Sequence, residues 1–438
     1  MVKLGGAVLV QGAGAVFCAG VSFALTLWLA RVLGTAGFGA YVALLSVATL
    51  ALMLQEGGWP AWLYRERARA DADADTDAVA GLGDGVSRAI MGRFLVHVGA
   101  VSLVLCVGAG WWSGLDAAMA LLAMAGVAVM NGVSAGLRGA ACFARDAAWQ
   151  SAGRVVSAVA VAGVLAWGLG SGAGSGAGSV SLAAVFGAWA AGLGLVLLVG
   201  GWWWQWQAQQ GHSGQRAVVV WPVTPVWGGW RVYREDLARV GPFAFMAAAG
   251  AWLLRGDVVV LAGWGPEPVD AVALSWYAAC TRLLEAALLL FAPVANVLLR
   301  SFSDDLAAGR AVALRGRVAR WCLLVGGLGA LAVALAWAVG SGLMALLFGA
   351  PYAEAGALLP WVLAMLPFAL ANLVLGPWLA ALGLERGLAL GMLLAGAVLL
   401  LALLWAVPVW GLQGAAVAVA VSHAVLLVWG WWLGGRSA

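Results

Sequence analysis

Residues 388–433 read LALGMLLAGAVLLLALLWAVPVWGLQGAAVAVAVSHAVLLVWGWWL, with no Asp, Glu, Lys or Arg in the stretch. A helix needs about 20 predominantly apolar residues to cross the hydrocarbon core of a bilayer. The stretch therefore holds two crossings, Leu388–Val409 and Leu412–Leu433, parted at Trp410-Gly411. Its apolar runs are continuous rather than alternating with period two, which excludes the strands of a transmembrane β-barrel.

The same pattern extends back to the N-terminus. Apolar runs separated by charge, Pro or Gly clusters lie near 4–33, 38–63, 89–112, 117–137, 152–169 and 181–204, then near 240–264, 272–299, 318–348 and 356–382. With the two runs above they make about twelve spans, each of membrane-crossing length. Composition agrees: 64% of the 438 residues are hydrophobic and 10% charged, against roughly 25% charged in a soluble domain. Lipid is the main solvent, and no polar stretch is long enough for a separate soluble domain. The run from Leu4 to Ala30 exceeds the roughly 7–15 residues of a signal-peptide core and is predicted to be an uncleaved first span.

Direction follows from the basic residues. Placing the N-terminus in the cytoplasm puts 20 of the 23 Lys and Arg residues in inside segments; Arg31, Arg255 and Arg282 fall in or at the end of spans. Positively charged loops stay cytoplasmic, so both termini are predicted to be cytoplasmic. The chain divides into an N-terminal six-helix bundle (1–204), a cytoplasmic linker (205–239) and a C-terminal six-helix bundle (240–438). The end of the linker mixes Trp and Tyr with Arg and reads either as an interfacial helix or as an irregular loop. The acidic run Asp71, Asp73, Asp75 and Asp77 reads as a solvated loop offsetting Arg65, Arg67 and Arg69. Six spans in each half imply parallel repeats about an axis along the membrane normal, a layout that commonly encloses a central cavity opening alternately to each side.

Ionisable residues at membrane depth are functional candidates because they are costly there. Arg255 and Asp257 lie in span seven, Arg282 and Glu285 in span eight. Arg282 and Glu285 are three apart and share a helix face, whereas Arg255 and Asp257 cannot. Across the hairpin, Asp257 is in reach of Arg282. An uncompensated charge at mid-membrane costs about 2.5–3.5 kcal/mol on insertion scales, so pairing is expected. Arginine suits phosphate because its planar fork donates two parallel hydrogen bonds. Arg255 and Arg282 are thus either cavity-lining anion ligands or a structural ion-pair cluster. In the first half, Arg31 either snorkels to the interface or lines a cavity. Glu56 either caps a helix end or titrates in a coupled cycle. His97 and His423 either carry protons or bond backbone carbonyls, and Asn131, Asn296 and Asn372 are interhelical hydrogen-bond candidates.

No catalytic constellation is present: there is no Walker A run, no zinc-spaced His/Glu motif and no extended outside loop. Neither cofactor nor metal is expected, and transport must run on a gradient or on substrate supply.

Two segments carry a resemblance. Arg31-Val-Leu-Gly-Thr-Ala-Gly-Phe-Gly-Ala-Tyr41, followed by Gln55-Glu56-Gly57-Gly58, resembles the opening of the polysaccharide-transport (Wzx-type O-antigen or oligosaccharide) flippases. These belong to the multidrug/oligosaccharidyl-lipid/polysaccharide exporter superfamily. Arg255-Gly-Asp257 and Tyr277-Ala-Ala-Cys-Thr-Arg282-Leu resemble a second family pattern, in which Ala often stands where Cys280 is here. The resemblance implies an all-α membrane fold and a monomer in the bacterial inner membrane. It implies outward translocation of an undecaprenyl-diphosphate-linked oligosaccharide, alongside other glycan-assembly proteins and without nucleic acid. It assigns Arg31, Arg255 and Arg282 to substrate binding. Asp257 and Glu56 sit at matching positions, and with Glu285 they are the candidates for ion coupling or charge pairing. A cation-coupled multidrug exporter of the same fold is the alternative, and a polysaccharide polymerase or ligase stands behind it.

Overall fold

A computed structural model describes residues 2–73, 82–140, 142–170, 180–209, 229–264 and 269–437, and these residues contain no strand. The helices are α1 (Val2–Glu56), α2 (Trp59–Asp73), α3 (Leu82–Trp112), α4 (Leu115–Gly139), α5 (Phe143–Gly170) and α6 (Leu182–Gln209). They continue as α7 (Gly229–Val259), α8 (Ala271–Ala307), α9 (Ala311–Phe348), α10 (Ala355–Leu363), α11 (Leu366–Ala381) and α12 (Glu385–Ser437). Nine helices among the described residues are long and apolar enough to cross a membrane.

Two of those are double. A straight helix of α1's 55 residues would be about 80 Å long, far beyond a hydrocarbon core of about 30 Å. It breaks instead at Gly34, with φ 66°. α12 breaks at Gly411, with φ 57°, in a left-handed conformation that favours glycine. The α12 arms then run antiparallel. A Cβ on Gly414 would overlap the Ala406 carbonyl, one on Gly391 would meet Trp429, and one on Gly387 would meet Leu433. These three pairs are each equidistant from residue 410. The tenth expected span is also interrupted, splitting at Ala364-Met365 into α10 and α11, each carrying an internal proline (Pro360, Pro377). Counted as arms, with α10 and α11 as one and the short, charged α2 set aside, the helices match the twelve expected runs in order.

The chain forms two compact units. One comprises residues 1–25 and 47–248, the other 26–46 and 249–438. In the first, α4 packs against α2, α3, α5 and α6, and small residues set the approach: a Cβ on Gly192 of α6 would press on the Ser157 backbone of α5. In the second, α9 packs on α10 and α11, α8 on both, and α12 on α11. There Gly340 lies against the Gly356 carbonyl. Helices associating in lipid gain little from hydrophobic transfer, and close backbone approach at small residues supplies dispersion contacts instead. The outward faces stay apolar and exposed, as at Leu103, Val104, Leu323 and Leu401.

The structure clarifies the polar segments in part. Residues 210–228 lie outside the described set, but α7 begins at Gly229, so the Trp- and Tyr-bearing end of the linker is helical. Its side chains dock within the first unit: Tyr233 Oη bonds His97 Nδ1 at 2.7 Å and Asp236 pairs with Arg93 at 2.5 Å. Asp75 and Asp77 lie outside the described residues. Arg65 and Arg69 pair with Glu66 of their own helix at 3.1 and 3.4 Å.

Candidate functional site

The charged residues of spans seven and eight converge within the second unit. Between α7 and α8 the chain passes through a π-helical turn, Val260–Trp264, and Asp270 opens α8 by accepting from the Val272 and Ala273 amides at 2.7 and 3.0 Å. A carboxylate at that position satisfies amides that the first helical turn leaves without partners. The two helices then bring Glu285 between two arginines. Arg255 Nη1 lies 2.7 Å from Glu285 Oε1, and Arg282 Nη1 lies 2.8 Å from Glu285 Oε2. The side chains retain 10%, 12% and 20% of their exposure for Arg255, Arg282 and Glu285, so all three charges are largely withdrawn from solvent.

The hairpin pairing differs from the one expected. Asp257 does not carry the cross-hairpin ion pair to Arg282; Arg255 crosses to Glu285 instead. Asp257 Oδ2 accepts from the Tyr277 hydroxyl at 2.5 Å, and Oδ1 accepts from the Val258 amide at 2.8 Å. The reason is helical phase: residues two apart point to different faces, so only one of Arg255 and Asp257 meets the face bearing Arg282 and Glu285.

Two guanidiniums therefore share one carboxylate, and Asp257, within electrostatic reach of Arg255, supplies a second acidic group beside them. Among the described residues, the buried Nε–H groups of both Arg255 and Arg282 have no hydrogen-bond partner. Unused donors on a planar cation are suited to an anionic group with several oxygens.

Arg31 is held elsewhere in the same unit. Its guanidinium donates to the carbonyls of Leu346 and Leu347 at 2.8 and 2.9 Å, in the last turn of α9, where carbonyls lack intrahelical partners and a cation is favoured. Neighbouring motif residues fasten the same junction. Phe38 is fully buried and stands edge-on to Tyr352, with centroids 6.3 Å apart, and Tyr352 donates to the Ala30 carbonyl at 3.4 Å. A Cβ on Gly39 would overlap the Ala271 carbonyl. The Arg31–Tyr41 segment, at the break in α1, thus meets the start of α8, the end of α9 and the turn that follows it.

Glu56 lies in the other unit. Asn131 of α4 donates to it at 2.6 Å, and no cation forms an ion pair with it among the described residues. Next to it, Gln55 is fully buried and donates to Ser102 and to the Leu121 carbonyl. His97 bonds the Leu54 carbonyl and His423 that of Val419, while Asn372 donates to the His423 carbonyl across α11 and α12. The side chain of Asn296 lies outside the described residues. The sequence reading did not single out Tyr233 or Asp236, or assign Tyr277 a role. Tyr277 was visible only as part of a motif, and its Asp257 partner lies 20 positions away.

Residues 6–219 match the family model described as polysaccharide biosynthesis protein. No curated protein matches the sequence. Among solved structures, the chain is similar to an inward-facing multidrug resistance MATE family transporter of the MOP superfamily, with 12% identity, a TM-score of 0.67, and 98% of this chain and 97% of that one covered. It is also similar to the lipid II flippase MurJ in an inward closed conformation, at 10% identity and TM-score 0.69, over 97% of this chain and 87% of that one. A third match is a MOP superfamily transporter from Pyrococcus furiosus Vc1, at 16% identity and TM-score 0.58, over 98% and 95%. Identities this low speak to fold. Residues 6–219 thus match the polysaccharide biosynthesis model, and over its whole length the chain is similar in fold to MOP-superfamily transporters and a lipid II flippase.

Proposed function

We propose that this protein is a flippase for a lipid-linked oligosaccharide, moving an undecaprenyl-diphosphate glycan from the cytoplasmic to the periplasmic leaflet of a bacterial inner membrane by alternating access. The observation that carries this reading is the Arg255–Glu285–Arg282 triad, two arginines sharing one carboxylate, with two Nε–H groups that have no hydrogen-bond partner among the described residues. A diphosphate offers the multiple oxygens that such donors fit, and the cost of keeping cations at membrane depth is offset when an anionic group arrives. Arg255 and Arg282 are the substrate ligands in this proposal, Glu285 holds them in register, and Arg31 acts through the α1–α9 junction. Asp257 and Glu56 are the residues for charge pairing or coupling. The family match over residues 6–219 and the shared fold with a lipid II flippase point the same way. Solved MATE family transporters of this fold include an inward-facing and an outward-facing conformation.

The second reading, a cation-coupled multidrug exporter, is favoured by Glu56, an acid whose partner is a neutral amide. The Pyrococcus furiosus relative is described as having a binding pocket of reversed polarity that suggests a different function, so this fold accommodates more than one pocket charge.

The test is translocation of a fluorescent undecaprenyl-diphosphate oligosaccharide in proteoliposomes containing the purified protein. Wild-type protein moves the label between leaflets, and Arg282→Ala abolishes movement while remaining monodisperse. Wild-type rates in Arg282→Ala would remove the triad from the mechanism. Drug extrusion without glycan-lipid movement would select the exporter, and sugar transfer by the purified protein would revive a polymerase or ligase.

A further inference from the structure

At one end of the second unit, the first turns of α9 and the last turns of α12 bring basic and aromatic residues together. The Arg315 guanidinium carbon sits 5.6 Å from the Trp431 ring centroid, and that of Arg436 sits 4.0 Å from the Trp432 centroid. Arg315 also reaches the backbone of α12, since a Cβ on Gly435 would meet its Nη2 at 2.9 Å. Both arginines are exposed. Among the described residues, neither has a carboxylate within ion-pair distance. Their neighbours differ: Arg310 and Arg317 both pair with Asp305. Arg315 and Arg436 are the cations here that combine an indole backing with no ion pair among the described residues.

The stacking determines what these cations can still do. An indole covers one flat face of each guanidinium by a cation–π contact, but the N–H bonds point outward in the guanidinium plane. The donating edge stays open, in the geometry that meets a phosphate bidentately. Tryptophan is itself enriched at the membrane–water boundary. Beyond the basic end, α9 and α12 continue as bare apolar surface, with Leu323, Leu324 and Val428 more than half exposed. Charge, aromatic backing and an adjoining apolar track together describe a ligand with an anionic phosphodiester head and hydrocarbon tails.

We propose that Arg315 and Arg436, backed by Trp431 and Trp432, form a binding site for the phosphodiester headgroup of an anionic glycerophospholipid. Its acyl chains lie along the exposed faces of α9 and α12. The site is separate from the Arg255–Glu285–Arg282 triad and does not depend on what the protein transports.

The probe is phosphatidylglycerol, titrated onto the full-length protein in neutral detergent and followed by native mass spectrometry, with phosphatidylcholine and inorganic phosphate as comparison arms. Wild-type protein is expected to bind phosphatidylglycerol in clear preference to both. Basic residues near an anionic lipid surface contribute about 1 kcal/mol each, so Arg315→Gln/Arg436→Gln should weaken phosphatidylglycerol binding roughly 30-fold and leave phosphatidylcholine binding unchanged. Equal binding of the two lipids by wild-type protein overturns the proposal whatever the variant does. Unchanged phosphatidylglycerol affinity in the double variant also overturns it. Inorganic phosphate binding as tightly as the lipid would make this a simple anion site and would overturn the lipid assignment.

Discussion

Arg255 of α7 and Glu285 of α8 meet at 2.7 Å across their hairpin, and Arg282, one turn before Glu285, takes the other carboxylate oxygen at 2.8 Å. One acid thus holds two cations, and its loss should be more severe than the loss of either arginine. Removing one partner of a buried pair commonly costs about 3–5 kcal/mol because a charge is left uncompensated. Glu285→Gln is therefore expected to lower the detergent melting temperature more than Arg282→Ala does. The double variant Arg282→Ala/Glu285→Gln leaves only Arg255 and should recover part of the loss. Scoring translocation on the same proteins separates structure from binding. If Arg282 only fixes helix packing, recovered stability brings recovered translocation. If it holds the substrate, the double variant is stable and inactive.

Arg31 poses a different question, because its guanidinium is committed to the Leu346 and Leu347 carbonyls. Hydrogen bonds involving a charged group contribute about 1.5–3 kcal/mol each, less at an exposed position such as this. Arg31→Ala should lower thermal stability by a few degrees, and Arg31→Lys should rescue it only in part, since an ammonium cannot span two carbonyls with a fixed fork. A melting temperature unchanged in Arg31→Ala would show that the bonds contribute nothing.

The spans were legible because each is a long apolar run, and the intramembrane charges because they interrupt such runs. What the sequence did not disclose is which charge meets which. Arg282 and Glu285 are fixed neighbours by helical spacing. Whether Arg255 or Asp257 faces them depends on the rotation of α7 about its own axis, which is set by packing along the whole hairpin. Arg31 was less legible still, because its acceptors lie 315 and 316 positions away. The motif around it looked like a candidate binding element, whereas its observed contacts are those of a junction between helix ends. The splitting of the tenth span had a visible cue in Pro360, Pro367 and Pro377, since proline removes a backbone donor and bends a helix.

In the first unit, Asn131 donates to Glu56 at 2.6 Å. A buried acceptor deprived of its donor costs about 1–3 kcal/mol or more when charged, whereas removing both partners together is close to neutral. Asn131→Leu is therefore expected to destabilise the protein, and Glu56→Leu/Asn131→Leu to recover most of the loss in the same melting assay. A double variant no more stable than Asn131→Leu would mean that the pair is not the coupling element. The transport assay adds a functional readout. If Glu56 is the coupling acid, Glu56→Gln retains stability, since glutamine can still accept from Asn131, but loses gradient-driven transport.

Backbone approach in the second unit yields a prediction with an internal control. Gly340 and Gly342 both lie on α9, two residues apart and so on different faces. A Cβ on Gly340 would come to 2.7 Å from the Gly356 carbonyl oxygen, while one on Gly342 would meet nothing within 4 Å. Both positions are helical, so helix propensity favours a larger residue equally at each. Gly340→Leu must push α10 away from α9, and because the neighbouring atoms are backbone, no side-chain rotation relieves the overlap. Gly340→Leu should therefore abolish the monodisperse species on size-exclusion chromatography, while Gly342→Leu expresses and elutes as wild type. Tolerance of leucine at both positions would show that the close contact between α9 and α10 does not form.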